Sequence, residues 1–96
     1  MKIVWTPEAE LDREEIFDYI AADNPRAAVR MDELFDEAVA RLRRFPLLGG
    51  AGTVTGTREL IPHPSYRVVY QVEVEGEAVW VLAVVHTARQ WPPARS

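Results

Sequence analysis

The chain has 96 residues with a net charge of −4, and 48% of its residues are apolar while none is cysteine. This length predicts one domain, residues 1–96, whose core needs neither disulfides nor thiolate metal sites. The acidic balance argues against a general nucleic-acid binder, and the absence of a long apolar run or a signal-peptide stretch favours a soluble cytoplasmic protein without membrane association.

The charges are distributed unevenly along the chain. Residues 1–25 hold two basic and seven acidic side chains, whereas residues 26–96 hold nine basic and eight acidic ones. An acidic first helix followed by a near-neutral remainder leaves room for a local positive patch, although solvated helix faces also account for the pattern.

The first quarter of the chain predicts a short strand followed by an amphipathic helix. Residues 2–5 favour a strand and end at Thr6-Pro7, the pattern of an N-cap followed by a first helical position that needs no N–H. The helix is predicted over residues 7–22. Its apolar face consists of Ala9, Ile16, Tyr19 and Ile20.

A second helix is predicted directly afterwards, so the two form a helical hairpin. Asn24 and Pro25 repeat the N-cap signal, and the helix is expected to continue until Pro46 and the glycines behind it. Apolar residues at spacings of three and four predict one continuous buried seam. The seam consists of Ala27, Met31, Leu34, Ala38, Leu42 and Phe45.

The second half of the chain predicts a loop and three strands. Residues 47–56 are glycine-rich, and the strands are expected over residues 57–61, 66–74 and 78–85, the last two forming a hairpin. The final strand is apolar on both faces, which is typical of a central strand. The order β-α-α-β-β-β predicts an α+β fold with the helical hairpin packed on one face of a small, mostly antiparallel sheet.

Four cationic or titratable residues lie near strand ends and form the candidate site: Arg58, Arg67, His86 and Arg89. Strand alternation puts Arg67 on the face away from Val68, where it could bind a phosphate or carboxylate bidentately. The alternative is a cross-strand ion pair with Glu59 or Glu73.

Further polar residues have both functional and structural interpretations. His86 could serve as a general acid or base, or simply end its strand in a hydrogen bond to the backbone. Arg89 and Trp91 could hold a nucleotide or anchor the tail by a cation–π contact. Asp12 lies near the apolar face of the first helix, and an arginine from the sheet is its predicted partner. His63, between two prolines, is expected in a loop, and no metal site or cofactor is predicted.

The strand Tyr66–Val72 (Tyr-Arg-Val-Val-Tyr-Gln-Val), and a last strand ending in Val-Val-His-Thr-Ala-Arg-Gln-Trp, resemble the RelE/ParE superfamily of toxins from bacterial type II toxin–antitoxin modules. The opening Trp-Thr-Pro-Glu-Ala-Glu-Leu-Asp and the hairpin Tyr-Ile-Ala-Ala-Asp-Asn-Pro-Arg-Ala-Ala resemble its ParE branch in particular. The resemblance covers nearly the whole chain and implies the same RelE-like fold.

The resemblance implies a growth-inhibiting toxin that a cognate antitoxin neutralises in a hetero-oligomer. RelE-like members cut messenger RNA on the ribosome, whereas ParE-like members poison DNA gyrase. Arg67 matches an arginine of the RelE-like nucleases, and His86 and Arg89 could assist it. Lys2 is the only lysine, so the lysines of those nucleases have no counterpart.

We therefore prefer the interpretation that the chain is a ParE-like toxin that poisons gyrase. The candidates for contacting the target or the antitoxin are Arg58, Arg67, Arg89 and Trp91. The alternatives are a ribosome-dependent endoribonuclease and an inactive protein that binds the antitoxin and co-regulates its operon. The antitoxin is expected at an apolar groove beside the helical hairpin and at an open sheet edge.

Overall fold

The computed structural model describes residues 1–93, in which a five-stranded sheet carries a helical hairpin. The elements are β1 (Lys2–Trp5), α1 (Pro7–Ala21), α2 (Pro25–Ala40), a 3₁₀ turn (Arg41–Arg43), β2 (Gly50–Ala51), β3 (Arg58–His63), β4 (Tyr66–Glu73) and β5 (Ala78–His86). The strand order is β1-β5-β4-β3-β2, with β1 parallel to β5 and the other neighbours antiparallel. The predicted α+β fold is confirmed.

Both helices begin at the predicted caps. The Thr6 hydroxyl accepts a hydrogen bond from the Ala9 amide at 3.1 Å and donates one to the Val81 carbonyl at 2.8 Å. The Asn24 side chain accepts from the Ala27 amide at 3.1 Å. Each cap binds a backbone amide that has no partner within its helix, so these two residues fix where α1 and α2 begin. Thr6 also connects α1 to β5.

The seam predicted for the second helix is right at Met31, which packs against the core, and at Leu42, which is fully buried, but elsewhere it is wrong by about one residue. The buried positions are Ala28, Phe35, Val39 and Leu42, while Leu34 is 37% exposed and Phe45 is 55% exposed. Two rows of positions that differ by one residue both fit the helical spacing of three and four, so the spacing alone does not choose between them. The observed row includes the large aromatic residue Phe35, which lies in the core. The helix also ends at Ala40, five residues earlier than predicted, and the 3₁₀ turn leaves Phe45 outside the core.

The face predicted for α1 holds for Ala9, Ile16 and Ile20, which pack into the core, but not for Tyr19. Tyr19 is 79% exposed. Because it lies at the margin of a narrow apolar stripe, the sheet and α2 do not cover it.

Two strand predictions need correction. Gly50 and Ala51, predicted in a loop, form the short edge strand β2 against Arg58 and Glu59. β3 continues through Pro62 to His63, which pairs with Tyr66 rather than lying in a loop. The register shifts between Leu60 and His63, and such an irregularity accommodates a proline that cannot donate to the ladder.

The last strand is central, as its apolar sequence predicts. β5 lies between β1 and β4, and Val79, Val81, Ala83 and Val84 are all buried. β1 pairs with β5 only as far as the Trp5–Val81 position. The outer edge of β5 beyond Val81 is therefore left without a neighbouring strand.

Candidate functional site

Arg67 lies at the start of β4, on the face of the sheet that points away from the helices. Its neighbour Val68 belongs to the core under the helices, and the cross-strand neighbour of Arg67 is Val85. Because strand residues alternate faces, Arg67 and Glu59 point to the opposite side. Only 12% of the Arg67 side chain is exposed, so this cation is largely enclosed by the protein itself.

The guanidinium of Arg67 is already engaged on two sides. Its Nη1 atom lies 2.9 Å from Oε1 and 3.0 Å from Oε2 of Glu59, whose side chain is 16% exposed. Its Nη2 atom donates to the Arg89 carbonyl oxygen at 2.7 Å. The Nε atom is buried and has no hydrogen-bond partner within the described part of the chain. The cross-strand pair with Glu59 is therefore the interpretation that the structure supports.

The residues after β5 turn back onto the sheet and deliver the Arg89 carbonyl to Arg67. The Thr87 amide donates to the Ser65 carbonyl at 2.8 Å, and the Thr87 hydroxyl donates to the Pro64 carbonyl at 3.0 Å. The Arg89 amide closes the turn on the His86 carbonyl at 2.9 Å. An anion could reach Arg67 in the bidentate mode only by displacing Glu59 or this turn.

His63, Tyr66 and His86 form a cross-strand row on the other face, at the same end of the sheet. His63 pairs with Tyr66 in β4, and Tyr66 pairs with His86 in β5. The Tyr66 ring meets the His86 ring edge-on at 5.6 Å between centroids, and it meets Phe35 of α2 in the same way at 5.7 Å. The two histidines, far apart in sequence, thus flank one tyrosine.

The hydrogen bonds of both histidines fix their neutral tautomer. Nδ1 of His86 accepts from the Ala88 amide at 3.1 Å, and Nδ1 of His63 accepts from the Ser65 amide at 3.1 Å. A ring nitrogen that accepts carries no proton, so the proton of the neutral ring is on Nε2. In this state Nε2 of His86 is a donor and has no lone pair with which to act as a general base.

Among the remaining predicted site residues, Arg89 reaches Arg67 with its backbone carbonyl, and its side chain is not part of that contact. Arg58 pairs with Tyr70 in the sheet and binds the carbonyls of Leu47 and Gly49, which puts it in a different part of the molecule. Arg89 is exposed, and Trp91 is half-buried. The site therefore consists of Arg67, Glu59 and the backbone of Arg89, with His86 on the opposite face.

The partner predicted for Asp12 is wrong. Asp12 Oδ2 accepts from the backbone amide of Val84 at 3.0 Å, and no sheet arginine approaches it within the described residues. Partial burial of the carboxyl raises the pKa of Asp12. The arginine on α1 is instead Arg13, which pairs with Asp32 and Asp36 of α2 at 2.9 and 3.0 Å.

The loop predicted over residues 47–56 is anchored to the sheet by hydrogen bonds that were not predicted. The buried Tyr70 hydroxyl accepts from the Gly49 amide and donates to the Pro46 carbonyl, both at 2.9 Å. Arg58 donates to the carbonyls of Gly49 at 2.7 Å and Leu47 at 3.1 Å. The signal that could have revealed this anchoring is the pairing of a buried tyrosine with an arginine across adjacent strands.

A shallow cleft of about 400 Å³ lies between β1 and the end of α2. Ile3, Trp5, Val39 and Ala40 supply its apolar walls and Arg43 borders it. The carboxylates of Asp36 and Glu37 line the same cleft, so it is a mixed apolar and charged groove. It lies beside the helical hairpin, next to the edge strand β1. Within residues 1–93 no three potential metal ligands cluster together, and no helix is long and apolar enough to cross a membrane.

Comparison with known proteins agrees with this architecture. Residues 3–91 match the model of the family described as the ParE toxin of the type II toxin–antitoxin system parDE. Toxin RelE2 of Caulobacter vibrioides is 36% identical over 88 residues, covering 92% of this chain and 97% of that protein. Y4kP of Sinorhizobium fredii, which bears the name of a candidate toxin, is 35% identical over 92 residues, covering 95% of this chain and 93% of that protein.

The fold recurs in solved structures. A chain of the chromosomal ParDE toxin–antitoxin system from P. aeruginosa superimposes with a TM-score of 0.78 at 22% identity, over 90% of this chain and 95% of that chain. A helical hairpin on a mixed five-stranded sheet thus defines the class as a RelE/ParE-like toxin fold. The chain belongs to the ParE toxin family, and it is the toxin of a type II toxin–antitoxin system.

Proposed function

We propose that this toxin arrests growth by inhibiting DNA gyrase without cutting RNA, and that a cognate antitoxin neutralises it in a hetero-oligomeric complex. The observation that carries the first part is the engagement of Arg67 by Glu59 and by the Arg89 carbonyl. A cation held in this way acts as a structural clamp rather than as a free phosphate ligand.

The chemistry of RNA cleavage supports the same choice. Cleavage without a metal needs a base for the attacking hydroxyl, an acid for the leaving oxygen and a cation for the charge on the phosphate. His86 has its Nε2 lone pair occupied by a proton in the neutral tautomer, and it projects from the face opposite to Arg67. The two residues therefore do not converge on one reacting atom.

The antitoxin is proposed to bind in the cleft beside α2 and β1. The cleft is apolar along Ile3, Trp5 and Val39, and β1 is an edge strand with one unpaired side. An extended or helical segment can bury such walls and satisfy the free backbone groups of the edge. This arrangement would leave the Arg67 face and the loop at residues 45–48 outside the antitoxin contact.

Purified toxin tests the proposed target directly. We expect it to block supercoiling of relaxed plasmid by gyrase or to trap cleaved DNA, and we expect messages to remain intact after toxin induction in cells. Codon-positioned cuts in translated messages, lost in Arg67→Ala, would instead establish the ribosome-dependent nuclease. Normal growth on expression without a partner would establish an inactive co-regulator that only binds the antitoxin.

A further inference from the structure

The loop that follows the 3₁₀ turn presents three large apolar side chains to solvent. Phe45, Leu47 and Leu48 are 55%, 65% and 52% exposed. We call residues 45–48 the apolar loop. Isolated exposed apolar residues are common, but a contiguous group on one loop is typical of an interaction surface.

The backbone of the apolar loop is held from the inside. Tyr70 and Arg58 bind the carbonyls of Pro46, Leu47 and Gly49, and the Leu48 amide donates to the Phe45 carbonyl at 3.1 Å. The inward side of the loop therefore consists of satisfied backbone, and its side chains point outward. Anchors that are ordered before binding lose little conformational entropy when a partner covers them.

The surroundings of the apolar loop are basic in an otherwise acidic protein. Residues 38–58 contain four arginines and no acidic residue, whereas the whole chain has a net charge of −4. Arg44 lies over the Phe45 ring at 5.5 Å, which places one of these cations directly against the apolar loop. A complementary partner surface would carry carboxylates around an apolar centre.

We propose that the apolar loop inserts into an apolar pocket, bordered by acidic residues, on the folded protein that the toxin inhibits. The shape of the loop favours a folded partner over a wrapping segment, because each of the three apolar residues is more than half exposed and a projecting loop fits a preformed cavity. An extended or helical peptide segment binds in a groove, and the cleft beside α2 is such a groove. The inference rests on the proposed function in naming gyrase as that protein.

The test uses full-length toxin variants and purified gyrase. Leu47→Glu/Leu48→Glu places two charges in the contact, and we expect at least about a tenfold loss of gyrase binding and of supercoiling inhibition. Antitoxin binding should be unchanged. Ile61→Glu/Val74→Glu is the control matched in charge, since Ile61 is 67% exposed and Val74 is 74% exposed, and it should retain both activities.

Charge reversal gives a second, independent arm. Arg41→Glu/Arg44→Glu changes two exposed arginines that do not line the cleft beside α2. This variant should slow association with gyrase and lower affinity several-fold at low salt, with the effect shrinking as salt is added. Arg26→Glu/Arg30→Glu changes the net charge by the same amount on exposed positions of α2 and should have little effect. Equal effects of the two pairs would reduce the role of the arginines to net charge and overturn the stated complementarity.

Failure of the proposed target remains distinguishable from failure of this inference. If wild-type toxin leaves gyrase unaffected, growth arrest replaces supercoiling as the readout. Loss of growth arrest in Leu47→Glu/Leu48→Glu, with antitoxin binding intact, would then mean that the apolar loop binds a different protein target. Unchanged arrest overturns the inference, as does loss of antitoxin binding. A third outcome would be that wild-type toxin sediments with anionic phosphatidylglycerol vesicles and that Leu47→Glu/Leu48→Glu does not. That result would overturn the inference and assign the apolar loop to a membrane surface.

Discussion

Asp12 of α1 accepts a hydrogen bond of 3.0 Å from the backbone amide of Val84 in β5. The contact lies just beyond the point where β1 stops pairing with β5 at Val81. A strand amide left without a neighbour and removed from water is costly, so the carboxyl of the helix takes the place of the missing strand.

Replacing Asp12 by asparagine keeps a side-chain oxygen that accepts from the Val84 amide and removes the ionisable carboxyl group. Partial burial is the first cause of the raised pKa of Asp12, outweighing the Val84 hydrogen bond that lowers it, and the nearby acids Glu15 and Glu8 raise it further. The folded protein therefore binds a proton more readily than the unfolded chain, whose ordinary value is 3.8. Wild-type stability should fall as the pH rises from about that value through the pKa of the folded state.

Thermal unfolding of wild type and Asp12→Asn between pH 3 and pH 7 measures this directly. We expect equal melting temperatures at low pH and a higher one for Asp12→Asn at neutral pH. Asp12→Ala, which leaves the amide unpaired, should lose about 1–3 kcal/mol at every pH. A deficit of Asp12→Asn that grows with pH would mean that the charged form is the favoured one.

The Asp12 contact also indicates what the sequence could and could not predict. The caps at Thr6 and Asn24 follow from local hydrogen-bonding chemistry, and the central position of β5 follows from its composition, so both were predictable. The partner of Asp12 depends on β1 being shorter than β5, which is a property of the sheet. Residue type predicted the need for a partner, but only the register supplies it.

Arg67 and Glu59 form an ion pair with little solvent contact, and removing one member leaves the other charge uncompensated. Glu59→Leu should therefore lower the free energy of unfolding by about 3 kcal/mol. Adding Arg67→Met should recover most of that loss, because two apolar side chains can pack where the pair was. Urea unfolding of the two single variants and the double variant gives the coupling free energy.

The same double variant separates a clamp from a catalyst. If Arg67 only holds Glu59 and the turn at Arg89, Glu59→Leu/Arg67→Met should still arrest growth once its folding is verified. Loss of arrest in a well-folded double variant, accompanied by loss of message cleavage, would assign Arg67 to catalysis. The strand alternation predicted the face of Arg67, whereas the turn that reaches it depends on the contacts of Thr87 with Pro64 and Ser65.

His86 supports the turn after β5 through the acceptor at Nδ1. Asparagine places its side-chain oxygen at a similar distance from the backbone, so His86→Asn should keep the bond to the Ala88 amide and change stability by less than about 0.5 kcal/mol. His86→Ala removes the acceptor and should cost about 1 kcal/mol. Nitrogen NMR of the wild-type ring should show the proton on Nε2 when the ring is neutral.

Growth arrest is the functional readout for the same pair of histidine variants. We expect His86→Asn to remain toxic. Equal loss of toxicity in His86→Asn and His86→Ala, with both proteins folded, would assign acid–base work to the ring and contradict the proposed gyrase mechanism.

Gly49 and Gly50 are neighbours with opposite surroundings, which makes them a matched pair for testing the apolar loop. A Cβ atom on Gly49 would lie 2.6 Å from the Glu59 carbonyl oxygen and 2.9 Å from the Tyr70 ring, whereas one on Gly50 meets nothing within 4 Å. Gly49→Ala should therefore cost about 1–3 kcal/mol and shift the loop. Gly50→Ala should leave the free energy of unfolding unchanged or raise it by up to about 1 kcal/mol, because alanine restricts the unfolded chain. Urea unfolding measures both, and equal stability of the two variants would show that the apolar loop is not held against β3 and β4 in the way that its hydrogen bonds to Tyr70 and Arg58 require.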